Sequence, residues 1–177
     1  MSHIAELGWV VGSIRWLVFF HQNLSTTHLT DVRDRDTIMV PAGTGATAFV
    51  DAEDVGAASA ALLDRARHAN RAWTVTGCEA MSYHDIADIF TRELGRPITY
   101  ANPGMLRYAS HARRTLDMPW GMVLVTTAIY TTARLGMAAS LTDDVHTVLG
   151  REPIRFACFA HRERNQWNPA CEGGVVA

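Results

Sequence analysis

The stretch from Trp73 to Tyr100, WTVTGCEAMSYHDIADIFTRELGRPITY, decides the fold. Its opening alternates Trp73 and Val75 and closes on Gly77, the pattern of a short strand ended by a turn. Ser82 precedes Asp85 at the spacing of a capping box, with Asp in place of the usual Glu. Ile86, Ile89, Phe90 and Leu94 then recur on one apolar helical face. Gly95 fits the left-handed position past a helix end, and Pro97 prevents continuation. PITYAN reads as the next strand. Strand, helix and strand with short joints predict an α/β sheet.

Upstream, TAFVD reads as a short strand that leads into FVDAEDVGAASAALL, Phe49 to Leu63. Asp51, Glu53 and Asp54 form the densest run of acid in the chain. A helix accounts for them. Its first turn leaves N–H groups without partners at the positive end of the dipole, and Asp51 or Asp54 can cap them. Arg65, Arg67 and His68 suit the other end, and Val55, Ala58, Leu62 and Ala66 make one small-residue face. GWVVGSIR reads as a buried strand, FFHQNL and its sequel as helix or loop, and the stretch around Pro41, Gly43 and Gly45 as short strand pieces with a β-turn. A lone GxG that opens no helix is a weak phosphate signal.

After Pro103 the pattern turns helical. PGMLRYASHARRTL and PWGMVLVTTAIYTTARLGMAA predict two helices. Thr142 is placed to cap DDVHTVLG, with Gly150 past its end, and IRFACFAHRERNQW predicts a last amphipathic helix before a frayed tail. The expected division is therefore 1–102 as part of a Rossmann-like domain, 103–167 as a helical subdomain and 168–177 as tail.

The bounds are those of an ordinary globular protein: 177 residues, 48% hydrophobic, 19% charged, net charge −2. That balance offers no bulk attraction to nucleic acid or membrane. Cys78, Cys158 and Cys171 are scattered and form no CxxC pair, so neither a zinc site nor a disulfide framework is indicated, and reduced thiols in the cytoplasm are expected. Met118 to Ala133 is uncharged but shorter than the roughly 20 residues that span a bilayer, which predicts a buried or interface helix. Lysine is absent; every long basic side chain is arginine. That removes a Schiff base, a P-loop lysine and a Tyr-x-x-x-Lys relay. Tyr130 and Arg134 copy the last spacing, but arginine stays protonated and cannot relay. His3 with Glu6, His84 with Asp88, and His111 with Arg114 read as solvated helical neighbours. No metal-ligand spacing and no catalytic residue is identified.

The order of segments resembles the NmrA-like branch of the atypical short-chain dehydrogenase/reductases. The matching positions are Arg15, Phe20, Asn23, Pro41, Gly43, Asp51, Asp54, Thr76, Gly77, Ser82, Ala87, Gly95, Arg96 and Pro97, and TDDVHTVLGREPIRFACFA looks like the family's closing segment. Trp16 stands where that family has proline, and Arg15 to Asn23 is one residue long. The resemblance implies the C-terminal part of a Rossmann-like parallel sheet with a mostly helical substrate-side subdomain, and NAD(P) as cofactor. The Gly-rich strand–turn–helix that takes the pyrophosphate has no counterpart in this sequence. Weak or absent NAD(P) binding by this chain alone is therefore expected, along with self-association through an exposed sheet edge. By the same resemblance Trp16, Leu17, Val18 and Phe19 would flank the nicotinamide, and Phe20 and Asn23 would border the pocket of a small organic substrate. For Phe19 and Phe20 core packing is an equal reading. The function implied is an incomplete NAD(P)-dependent oxidoreductase that lacks the Gly-rich cofactor loop and needs that phosphate-binding half. The alternatives are an NAD(P)-sensing regulator, favoured by the lack of lysine and of a positioned tyrosine, or a protein-interaction module.

Overall fold

The computed structural model describes residues 13–16, 19–63 and 72–168. The chain is α/β, as the spacing predicts. Strand β1 (Ser13–Trp16) lies parallel to β4 (Ala72–Val75), with Ser13 opposite Ala72 and Trp16 opposite Val75. Strand β2 (Thr37–Ile38) pairs in parallel with β6 (Thr99–Tyr100). The short strand expected in TAFVD is β3 (Thr47–Ala48), and it runs antiparallel to β5 (Ala80–Met81), which at two residues is too short to alternate visibly.

Helix α1 (Leu29–Arg35) precedes β2, α2 (Ala52–Leu62) follows β3, and α3 (Tyr83–Leu94) follows β5. The start of α3 is the expected capping box: the Ser82 side chain accepts from the Asp85 N–H, and Asp85 accepts from the Ser82 N–H at 2.8 Å. Gly95 ends α3 at φ 67°, in the left-handed region. Helices α4 (Met105–Arg114), α5 (Trp120–Arg134), α6 (Asp144–Leu149) and α7 (Phe156–Glu163) complete the described chain, and a 3₁₀ turn, Arg164–Gln166, follows.

One cap differs from expectation. Thr142 does not cap α6; Asp143 occupies that position and makes no side-chain cap bond. Thr142 instead serves β4: its hydroxyl donates to the Thr74 carbonyl, and its N–H donates to Thr76 Oγ1 at 3.0 Å. Asp144 joins the same seam by accepting from the Thr74 N–H at 2.7 Å. A strand edge has backbone groups to satisfy, and here Thr142, ahead of α6, and Asp144, in its first turn, satisfy them.

The acids of the opening of α2 are structural. Asp51 Oδ1 accepts from the Glu53 N–H at 2.9 Å and from Gln22 Nε2 at 2.8 Å, and Oδ2 accepts from Arg162 at 3.0 Å. Asp54 holds the segment after α6, accepting from the Ile154 N–H at 2.6 Å and pairing with Arg151 at 2.7 Å. Arg65, Arg67 and His68, expected at the far end of α2, lie outside the described residues, as do Ala66, the tail after Asn168 and Cys171.

The main core joins both ends of the chain. Phe90, Phe156, Phe159 and Trp167 pack ring to ring, with Trp167 4.7 Å from Phe90 and its indole N–H donating to the Leu24 carbonyl at 3.0 Å. Arg96 fastens this corner, donating to the carbonyls of Val32 and Trp167 and pairing with Asp36. A smaller cluster of Val50, Ala58, Val75 and Val145 lies between β4, α2 and α6.

Helix α5 buries Val123, Tyr130 and Ala133 and turns Trp120, Leu124 and Val125 outward. No helix among the described residues is long and apolar enough to cross a membrane.

Candidate functional site

The chain leaves the carboxyl end of β1, where ligands sit in open α/β sheets. Phe19 and Phe20 continue as extended backbone against Val50, with the Val50 N–H donating to Phe19 at 3.1 Å and the His21 N–H donating to Val50 at 3.0 Å. Successive side chains of extended backbone point to opposite faces. Phe19 therefore enters the main core, 2% exposed, with its ring 6.0 Å from Phe49 and 6.3 Å from Tyr130. Phe20 turns to the smaller cluster, among Val50, Val55, Val75 and Val148. A 3₁₀ turn, His21–Asn23, then carries the chain to α1.

Two adjoining hollows open beside that turn. The inner one, about 150 Å³, is lined by Phe19, Asn23, Thr27, Thr126, Ile129 and Tyr130. The outer one, about 550 Å³, runs between Thr26, Thr30 and the joint from Thr115 to Met122. Thr27 and Thr126 line both, so the two form one cleft between α1 and the α4–α5 joint. Threonine hydroxyls and the apolar side chains of Leu116, Met118, Pro119 and Met122 dominate its outer wall. That lining suits a mostly apolar molecule with a few polar atoms.

Of the residues placed at the site from sequence, Phe19 and Asn23 line the inner hollow, and Phe20 is not among its walls. Trp16 ends β1, and Leu17 and Val18 lie outside the described residues.

A polar network backs the inner hollow. Tyr130 Oη and His28 Nε2 are 2.7 Å apart, in a buried hydrogen bond. His28 Nδ1 faces Asp31 Oδ2 at 3.9 Å, and His111 Nε2 meets the same oxygen at 2.7 Å. Arg35 donates to Asp31 Oδ1 at 2.8 Å. Burial pushes the Asp31 carboxyl up, but the nearby His28 ring, the hydrogen bonds from His111 and Arg35 and the His111 charge outweigh it and hold the group below the usual carboxylate range. Burial and the neighbouring tyrosines keep the Tyr130 phenol well above its ordinary range, so it is neutral. Sequence reasoning passed over this network because its members lie far apart in the chain. His111, expected to face solvent beside Arg114, reaches back across the fold to Asp31. Tyr130, set aside as a mimic of a Tyr–Lys pair, takes His28 as partner, while Arg134 packs against Gly43.

A second hollow, about 210 Å³, lies just past the end of β4, at Gly77 and Cys78, beside a His146–Glu152 pair at 3.0 Å. Burial, with Glu79 nearby, pushes the Cys78 thiol up, which makes it a poor nucleophile. Among the described residues no cluster of three metal-ligating side chains is arranged to hold an ion.

Gly43, Gly45 and Gly77 form no cradle for the pyrophosphate of a dinucleotide. A phosphate cradle needs glycines whose open side faces the ligand at a helix N-terminus. Gly43 and Gly45 instead make a turn, with the Gly45 N–H donating to the Ala42 carbonyl at 3.3 Å. The open side of Gly45 is filled by the Ala133 carbonyl, and that of Gly77 by the Phe49 carbonyl, each 1.9 Å from where a Cβ would sit.

No family model matches the chain. It is 31% identical over 142 residues to the NAD(P)H azoreductase of Xenophilus azovorans, which covers 80% of this chain and 49% of that protein. It is 26% identical over 168 residues to the festuclavine dehydrogenase of Aspergillus fumigatus, across 94% of this chain and 57% of that one. An NADPH-dependent quinone oxidoreductase of Escherichia coli, solved with NADPH, superposes at a TM-score of 0.80 with 19% identity, over 92% of this chain and 56% of that chain. The chain thus spans about half the length of the curated relatives it matches. In sequence it is similar to NAD(P)H-dependent reductases, and its fold is the Rossmann-like one of NAD(P)-binding reductases, consistent with the atypical short-chain dehydrogenase/reductases.

Proposed function

We propose that the chain forms the substrate side of an NAD(P)-dependent oxidoreductase acting on a small organic molecule. The observation that carries this reading is the cleft beyond β1, with the Tyr130 hydroxyl and its His28 partner at the inner end. Such a site binds an apolar body along Leu116, Met118 and Met122 and meets one polar atom at Tyr130. Hydride chemistry belongs to the nicotinamide. What these residues supply is orientation, exclusion of water and a neutral phenol at hydrogen-bonding distance. The relatives named as an azoreductase and a festuclavine dehydrogenase support a small organic substrate as the class.

Calorimetric titration of NADPH tests the reading. Without a phosphate cradle among its described residues, the 177-residue chain is expected to bind NADPH weakly or not at all. Co-expression with a polypeptide carrying a glycine-rich βαβ unit is expected to bring binding to the micromolar range, on the order of −8 kcal/mol. Reductase activity of that assembly should then fall on Tyr130→Phe. Tight binding by the chain alone, or activity indifferent to Tyr130, overturns the proposal.

A further inference from the structure

Helices α4 and α5 turn Tyr108, Ala112, Val123, Tyr130 and Ala133 to the same core. At 3.6 residues per turn the opposite side of α4 carries Leu106, Ser110, Arg113 and Arg114, and the opposite side of α5 carries Leu124, Val125, Ala128 and Leu135. Both stripes back onto one core, so they share one outer surface. Leu106, Leu124 and Leu135 are 88%, 70% and 67% exposed, and Trp120, Val125 and Met137 add to the apolar area. A single exposed leucine needs no explanation, but apolar side chains gathered on neighbouring helices mark an interaction surface. Charge says what that surface meets. From Pro103 to Thr142 four arginines stand against one aspartate, a net +3; the remaining chain, from a total of −2, carries −5. Arg113 and Arg114 lie on the outward stripe of α4, Arg107 is exposed beside it, and Arg134 ends α5. The one acid, Asp117, is already paired with Arg113 at 3.5 Å. Leucines and a tryptophan set among arginines fit an anionic lipid layer: the apolar side chains enter the acyl boundary and the guanidinium groups stay at the phosphates. A second copy meeting this face brings +3 against +3, whereas anionic lipid brings the opposite sign.

We propose that the outer face of α4 and α5 is a peripheral docking surface for an anionic lipid bilayer. Such docking needs no spanning helix, and none exists among the described residues. The acidic balance of the whole chain does not oppose it, because the acids lie in other segments and salt screens charges more than about 10 Å away. Met122 connects this surface to the cleft: it lines the outer hollow and is half exposed, two residues from Trp120 and Leu124. Met118 and Pro119, just before Trp120, line the same hollow. The mouth of the cleft therefore opens at the edge of the docked face, within reach of an apolar molecule dissolved in lipid. The proposal goes beyond the reading of the cleft as a substrate site and stands without it.

Flotation through a sucrose gradient tests it, since vesicle-bound protein rises and aggregated protein sinks. The 177-residue chain is mixed with vesicles of phosphatidylcholine alone or with about one third phosphatidylserine. Binding to the phosphatidylserine vesicles is expected to be about tenfold tighter or more, the scale of a few arginines at an anionic surface, and about 1 M salt should abolish the difference. Trp120→Ser combined with Leu124→Ser should lower flotation about tenfold by removing apolar insertion. Arg107→Gln combined with Arg114→Gln should lower it on the phosphatidylserine vesicles alone. All four positions are exposed, so the melting curve of each variant should match that of the parent. The lipid and salt comparisons on the parent chain need no substitution. Protein that stays at the bottom with both vesicles, or floats equally with both, overturns the proposal. An oligomer that the Trp120→Ser, Leu124→Ser variant dissolves, in a chain that ignores vesicles, assigns the face to a second copy and overturns it as well. NADPH binding and reductase activity without vesicles decide the cleft reading separately.

Discussion

Gly45 lies directly against the last turn of α5: a Cβ built on it would stand 1.9 Å from the Ala133 carbonyl oxygen. The turn after β2 and the helix that carries Tyr130 are therefore fixed to each other through a missing side chain. Gly45→Ala must push the backbone of Ala133 away, and overpacking of this kind costs about 1–3 kcal/mol. Gly56, inside α2, has nothing within 4 Å of its would-be Cβ, so Gly56→Ala should stabilise by about 0.5–1 kcal/mol. Urea unfolding of the two variants should move in opposite directions. A shared direction would refute the packing argument.

The ends of α3 offer a second test. Ser82→Ala removes one half of a capping box and should cost about 1 kcal/mol. Gly95→Val meets open space, so its cost is the strain of a β-branched residue at φ 67°. It should exceed that of Ser82→Ala. Thermal melts that leave both variants at the wild-type midpoint would show that α3 is not bounded by these residues.

Stability should fall in acid through Asp51 and Asp31. Burial raises the Asp51 carboxyl, but hydrogen bonds from His21, the Glu53 N–H and Gln22 win and depress it strongly. A group depressed in the folded state stabilises at pH above its unfolded value, about 3.9, and loses that contribution as pH falls toward its folded value. The melting temperature should therefore drop steadily below about pH 4. Asp51→Asn should start from a lower midpoint at pH 7 and show a shallower acid slope. An unchanged slope would assign the acid sensitivity to other groups.

Self-association is expected of the isolated chain. Among the described residues β1 is paired on one side only, by β4, and Trp120, Leu124 and Val125 present an uncharged face on α5. Light scattering should report a mass above 19.5 kDa. Leu124→Arg, on an outward position, should lower the mass if the helix face contributes and leave it unchanged if the strand edge alone is responsible. A monodisperse wild-type monomer with a cooperative melt would contradict this expectation.

Much of the fold was legible because its signals are local. The box at Ser82 and Asp85, the left-handed Gly95 and Gly150 and the alternation of Trp73 with Val75 are each written within a few residues. The cap at Asp51 was legible for the same reason. Of the residues that line the candidate cleft, only Phe19, read as a nicotinamide neighbour, and Asn23, read as a pocket residue, had been singled out in the sequence, both through resemblance to a family. The rest depends on contacts that no short window contains. Tyr130 and His28 are 102 residues apart, and Asp31 and His111 are 80 apart. Thr142 illustrates the converse error: its type and position fit a cap, but a strand 68 residues earlier had a carbonyl in need of a donor.

The ties at the start of α2 also govern the order in which the chain can fold. Asp54 is satisfied from Ile154, 100 residues on, and Asp51 from Arg162, 111 residues on. Trp167 closes the aromatic core on Leu24 across 143 residues. A ribosome-bound chain that stops short of these partners holds Asp54 without its Ile154 and Arg151 donors, Asp51 with only its Gln22 and Glu53 donors, and an open aromatic core. Loop closure over such distances must precede the contacts that reward it, which places folding on the slow side for a chain of this size. Completion of the start of α2 and of the aromatic core is therefore expected only once α7 and Trp167 have been made.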